Sequence, residues 1–134
     1  MPKYEWNDSF LLGIKELDEH HEYLVELMNR SHDLYENTAP YARLESILDE
    51  LFEYTTYHFA AEENWLRSHS YLKLDEHIAE HDGFRKRIAA FKDEFYAGKA
   101  SPKVQLFTYL ADWLVNHIRV TDYEYARCLL GERR

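Results

Sequence analysis

Four stretches of this chain place apolar residues at alternating steps of three and four, and each interrupts its apolar stripe with histidine or a carboxylate. That period is the signature of amphipathic helices. Ile14, Leu17, His21, Leu24 and Met28 share one side of a helix expected over about 15–36. Leu44, Leu48, Leu51, Thr55, His58, Glu62 and Trp65 do so over about 40–68, and His77, His81, Phe84, Ile88, Phe91 and Phe95 over about 73–97. A fourth helix over about 102–130 turns Leu106, Leu110, Trp113, Leu114 and His117 inward. Ser101 supplies its cap and Pro102 its first turn, while Gly98 is the residue type that the end of the preceding helix favours. Residues 37–40 and 68–71 are expected as turns.

Four glycines and three prolines among 134 residues are too few turn formers for an all-β domain, so the class is all-α. Short turns between long amphipathic helices give an antiparallel, up-down-up-down four-helix bundle around one interior, a single domain over 1–134. Residues 1–13 lack helical continuity; they are expected as an ordered arm that lays Trp6 and Phe10 over the bundle. Most of the eleven tyrosines fill the seams.

The net charge of -9, from 25 acidic and 16 basic residues, repels phosphate backbones and anionic lipid surfaces, so nucleic-acid partners are disfavoured. No apolar run approaches the length of a bilayer span, and no leader-like series opens the sequence; no membrane insertion and a cytoplasmic location are expected. The lone Cys128 has no intrachain partner for a disulfide and is read as a packed thiol.

The ionisable residues within the stripes carry the chemistry. An unpaired charge buried in a bundle costs several kcal/mol, so such groups must pair or hold a metal. His77 and His81 lie one turn apart, which lets two imidazoles grip one ion, and His58 with Glu62 repeats the spacing on the helix before. His21 joins from the first helix and His117 from the fourth. Five histidines and their carboxylates exceed what mutual hydrogen bonding satisfies, and a metal centre is expected. Asp122 stands five residues after His117, off its face in a regular helix; it reaches the site from the flank or through a widened π-type turn. His20, His32 and His69 are expected as exposed or rim residues, and the charged stretches 45–53 and 85–92 as solvated faces.

The residues resemble the hemerythrins, specifically the single-domain bacterial hemerythrins. The resemblance rests on Trp6 and Phe10, on D-x-x-H-x-x-L over 18–24, and on H-F-x-x-E-E over 58–63. It continues with H-x-x-x-H-x-x-F over 77–84 and W-L-x-x-H-I-x-x-x-D over 113–122. Four motifs in order at suitable separations are specific where each alone is weak. The resemblance implies two non-heme iron ions, one on His77, His81 and His117, the other on His21 and His58. Glu62, Asp122 and an oxo or hydroxo group would bridge them. Leu66, Leu72 and the Glu19-His20 pair depart from the usual pattern; none falls on a ligand position.

What the resemblance implies functionally is reversible dioxygen binding, for transport, storage or delivery, and not an enzyme. Phe59, Trp113, Leu114 and Ile118 neighbour the ligands and are expected to wall the dioxygen pocket. Two alternatives use the same site: an oxygen or redox sensing subunit, and removal of peroxide or nitric oxide. The sequence names no recipient for the oxygen. Di-iron oxidases with Glu-x-x-His repeats are disfavoured, because no histidine here has glutamate three residues before it. A structural zinc site needs only four ligands. No nucleophile elbow or phosphate-binding loop is present.

Overall fold

The inward stripes fold into four helical rods. They are α1 (Lys15–Glu36), α2 (Tyr41–Ser68), α3 (Leu74–Tyr96) and a last rod made of α4 (Val104–Asn116), a π-helical segment (His117–Asp122) and α5 (Tyr123–Leu130). The computed structural model describes residues 3–38, 40–97 and 104–130, and among these there is no strand. The expectations for Gly98, Ser101 and Pro102, and for the side chain of Leu106, lie outside the described residues. α1 packs along α2 and α4, and α3 closes the bundle against α2 and α4.

Both described inter-helix turns use a left-handed residue that is not glycine: Thr38 at φ 53° and Ser70 at φ 55°. At the end of α2 the amide of Tyr71 donates to Leu66 O at 3.1 Å and that of Ser70 to Arg67 O at 3.1 Å. These are the two bonds of a Schellman cap, with Ser70 at the position glycine usually takes. The cap folds Tyr71 back onto Leu66 inside the bundle.

The N-terminal arm is fastened at three points. Tyr4 N donates to Asn29 Oδ1 at 2.8 Å, and Asn29 Nδ2 returns a bond to Tyr4 O at 2.7 Å. Phe10, at the end of a 3-10 turn (Asp8–Phe10), is fully buried, with Trp6 stacked on it at 4.8 Å. The Asp18 carboxylate then takes the amides of Leu12 at 2.8 Å and Gly13 at 3.2 Å, which holds the arm at the start of α1.

The buried apolar side chains divide into a larger and a smaller body. Between them, on every rod, lie the ionisable residues. His21 sits between Leu17 and Leu24, Glu62 between Phe59 and Leu66, and Asp122 between Ile118 and Tyr125. On α3, His77 and His81 lie between Leu74 and Phe84.

Two expectations are corrected. Cys128 is exposed rather than packed. Tyr125, Ala126 and Leu129 define the inward face of α5, and at 100° per residue Cys128 stands about 110° from its centre. His20 is buried, with 8% of its surface exposed, whereas a rim position was expected. It lies about 100° round α1 from His21, which aims it into the α1–α2 seam beside Tyr54 and Tyr57 instead of toward solvent.

A non-glycine residue in the left-handed region is strained by about 1 kcal/mol. Ser70→Gly is therefore expected to raise the midpoint of thermal unfolding by about 3 °C. Circular dichroism melts of the two proteins check this.

Candidate metal centre

Seven side chains from four rods meet in the ionisable layer. α2 presents His58 and Glu62 one turn apart, and α3 presents His77 and His81 in the same way. α1 contributes His21. In a regular α-helix the five residues from His117 to Asp122 would leave the two about 140° apart. The π-helical segment, which begins at His117 and ends at Asp122, widens that turn and brings both inward. All seven side chains are buried, from 0% to 4% exposed.

The donor atoms form two overlapping sets. One contains Glu62, His77, His81, His117 and Asp122, the other His21, His58, Glu62 and Asp122, and within each set the atoms lie within 4.8 Å of one another. The shared carboxylates split their oxygens between the sets. Glu62 Oε1 lies 2.8 Å from His77 Nε2 and 3.1 Å from His81 Nε2, while Glu62 Oε2 lies 3.5 Å from both His21 Nε2 and His58 Nε2. Asp122 Oδ1 lies 3.1 Å from His117 Nε2 and 3.2 Å from His77 Nε2, while Oδ2 lies 3.2 Å from His21 Nε2. Every one of the five imidazoles turns Nε2 into the cluster.

These residues fit a cation. His21 Nε2, His58 Nε2 and both Asp122 oxygens are buried with no hydrogen-bond partner, although neighbouring donors crowd them. Buried polar atoms are normally paired, so this crowding without bonding marks lone pairs that converge on common points. Ligand atoms about 2.1 Å from one ion and at right angles to each other stand roughly 3 Å apart. His81 Nε2 and His117 Nε2, at 3.0 Å, have that separation.

Electrostatics lead to the same conclusion. Burial alone pulls the His21, His77 and His117 imidazoles down. Asp122 and Glu62 outweigh it and hold His21 and His77 at about 9, and Asp122, with help from Glu80 and Glu62, holds His117 at about 10. Burial and the charge on His21 push His58 down to about 4. Burial opposes the charge on Glu62, yet four surrounding histidines keep its carboxyl well below the usual range. Burial and the Glu62 charge likewise oppose ionisation of Asp122, and His117 and His21 hold it below the usual range. Without a cation, protons on the imidazoles thus offset the charge of the two carboxylates; a cation must displace them.

Around this centre stand groups that sequence reasoning did not single out. Tyr125, fully buried, donates its hydroxyl to Glu62 Oε2 at 2.9 Å. Its signal was its place one turn after Asp122. Glu63, inside a motif but given no role, lies 2.7 Å from His81 Nδ1 and takes Arg85 Nη2 at 2.9 Å, so Arg85 is not wholly part of a solvated face. Glu80 stands 3.5 Å from His117 Nδ1. His20 Nδ1 lies 3.0 Å from His58 Nδ1. His32 is half-buried near Glu36, and the exposed His69 stacks on Trp65; both stay outside the centre.

Of the four expected pocket residues, Phe59 and Trp113 pack directly on cluster imidazoles. Phe59 stacks on His81 with centroids 3.7 Å apart, and Trp113 on His117 at 4.8 Å. Ile118 is buried within the π-helical segment. Leu114, one turn before His117, lines a wholly apolar pocket with Met28, Thr55, Phe84 and Leu110.

A four-helix bundle whose interior holds a histidine-rich donor cluster with two shared carboxylates defines a class of cation-binding helical proteins. The family model described as Hemerythrin HHE cation binding domain matches residues 12–129. The chain belongs to the hemerythrin family. It is 33% identical over 126 residues to the bacteriohemerythrin of Clostridium acetobutylicum, covering 91% of this chain and 98% of that one. It is 32% identical over 127 residues to a hemerythrin of Sipunculus nudus, covering 94% and 93% of the two chains. The crystal structure of a wild-type hemerythrin superposes with a TM-score of 0.87 at 28% identity, covering 97% of this chain and 99% of that one.

Three imidazoles held above their ordinary value give the metal-free bundle a definite pH response. Their contribution to stability is fully present below pH about 6.5 and is lost as pH rises through their folded values near 9 to 10. The unfolding temperature of metal-free protein is expected to fall between pH 7 and pH about 9.5. Added divalent cation, which takes the place of those protons, is expected to remove the decline. Thermal melts across that range, with and without the ion, provide the check.

Proposed function

We propose that this protein binds dioxygen reversibly at a pair of non-heme iron ions, serving oxygen transport, storage or delivery. The observation that carries this reading is the pair of overlapping donor sets that share Glu62 and Asp122. His77, His81 and His117 would hold one ion, His21 and His58 the other, and the two carboxylates would span both. Bound there, a pair of ferrous ions would supply the two electrons that reversible binding of dioxygen requires.

The side chains do the rest. The His21–His58 side has one imidazole fewer, so it is the side with room for a small diatomic ligand. Tyr125 holds Glu62 by its hydroxyl and keeps that carboxylate in register between the ions. Phe59 and Trp113, which stack on His81 and His117, with Leu114 and Ile118 beside His117, would keep bulk water and its protons out of the centre, which reversible binding requires. Carriage is favoured over catalysis because the layer provides ligands and apolar walls but assigns no acid or base to a substrate. A cytoplasmic location suits the lone exposed thiol of Cys128. Among the described residues, no helix is long and apolar enough to cross a membrane.

Metal analysis should return two irons per chain, with a charge-transfer absorption band that appears when oxygen is admitted to the reduced protein and disappears when oxygen is removed. A single zinc, or a spectrum indifferent to oxygen, would defeat the reading. Sustained consumption of peroxide or nitric oxide by the reduced protein would show catalysis instead of carriage.

Leu114→Ala removes apolar bulk one turn from His117. It is expected to speed conversion to the oxygen-inactive diferric form several-fold, followed as decay of the oxygenated spectrum, and an unchanged decay rate would deny Leu114 its part in the wall.

A further inference from the structure

Because the five cluster imidazoles turn Nε2 inward, each has Nδ1 on its outer side, and what meets Nδ1 differs around the centre. His81 Nδ1 meets a carboxylate oxygen, Glu63 Oε2, at 2.7 Å, and His117 Nδ1 has Glu80 Oε2 at 3.5 Å. His58 Nδ1 instead meets another imidazole nitrogen, His20 Nδ1, at 3.0 Å in a buried contact. Two ring nitrogens at that distance need one hydrogen between them, so one ring donates and the other accepts.

The far end of His58 decides which. Its Nε2 points into the cluster, 3.5 Å from Glu62 Oε2, and has no hydrogen-bond partner. A nitrogen that ligates a cation must offer a lone pair, which leaves the hydrogen of the neutral ring on Nδ1. His58 is then the donor and His20 Nδ1 the acceptor, with the hydrogen of His20 on its own Nε2. The surroundings hold His20 in that orientation: it is buried in the α1–α2 seam, edge-on to Tyr54 at 5.9 Å, tilted against Tyr57 at 5.4 Å, and nearly perpendicular to His58 at 86°.

We propose that His20 is a positioning residue that accepts the Nδ1–H of His58 and so keeps the His58 Nε2 lone pair turned toward the cation on the His21 side. It touches neither cation nor dioxygen. A neutral imidazole accepts less strongly than a carboxylate, so this side of the centre has a weaker outer partner than the His81 side. The role rests on the two-ion centre proposed above.

Two measurements on the full chain test it. In zinc-loaded wild type, long-range proton–nitrogen correlation spectra are expected to show His58 with its hydrogen on Nδ1 and His20 with its hydrogen on Nε2. A hydrogen on His20 Nδ1 would overturn the proposal without any variant having to fold. The second measurement is competition for Fe2+ against a chelator under anaerobic conditions. His20→Phe keeps a buried ring but removes the acceptor; it is expected to weaken one of the two bound irons by about 10- to 100-fold and leave the other unchanged. His20→Gln loses the ring but keeps a carbonyl acceptor, and is expected to restore that iron to within a few-fold of wild type. The reverse order, phenylalanine tolerated and glutamine impaired, would make His20 a packing residue and overturn its role. Two irons held equally well by all three proteins would overturn the role of His20 alone. A wild type that takes up no second iron would remove the centre and the role together.

Discussion

Glu62 and Asp122 are buried side by side among five imidazoles, and the architecture follows from keeping those two carboxylates charged there. An isolated carboxylate in a helical bundle would be neutralised or expelled. Here each oxygen faces histidine nitrogens, one oxygen of each carboxylate toward the three-histidine side and the other toward the two-histidine side. The result is a polar layer that has no stable arrangement without positive charge at its centre, whether protons or cations. That requirement explains why the layer is walled by two apolar bodies: water admitted from either end would screen the charges and loosen the arrangement.

The same layer shows how a bundle stiffens a site. Imidazoles on different rods face each other at about hydrogen-bonding distance, as His81 and His117 do at 3.0 Å. Their outer nitrogens are then gripped by Glu63 or lie against His20, and aromatic rings stack on their faces, Phe59 on His81 and Trp113 on His117. His81 is thus fixed at both of its nitrogens and across its plane. Ligands held this way need little rearrangement when a small molecule arrives and leaves, which suits reversible binding better than a flexible site would. The difference in outer partners, carboxylate for His81 and imidazole for His58, makes the two sides of the centre chemically unequal before any metal is bound.

Much of the site was legible because helical spacing is strict. His77 with His81, and His58 with Glu62, fall one turn apart, and a step of four residues on a helix leaves no other reading of their shared face. His21 followed from its place between Leu17 and Leu24. Asp122 was harder, since five residues break the α-helical phase; spacing left it off the face of His117, only the motif over 113–122 pointed to it, and the π-helical segment is what brings it in. His20 and Cys128 show the limit. Both are small departures from an inward face, and whether such a residue is covered depends on which neighbouring helix lies closest at that height. α2 covers His20 with Tyr54 and Tyr57, while Cys128 is left exposed.

The amino-acid sequence alone determined the helical class, the four amphipathic stripes and the identity of the residues that interrupt them, because periodicity and side-chain chemistry are local properties. The tertiary structure decided which oxygen of each carboxylate faces which imidazole, that the two donor sets overlap, and which group meets each outer nitrogen. Those are distances of about 3 Å between residues tens of positions apart, such as His20 and His58. They are fixed only when the helices settle at their final rotation and height against one another, where a shift of one residue, about 100° round a helix, would have turned these side chains away from one another.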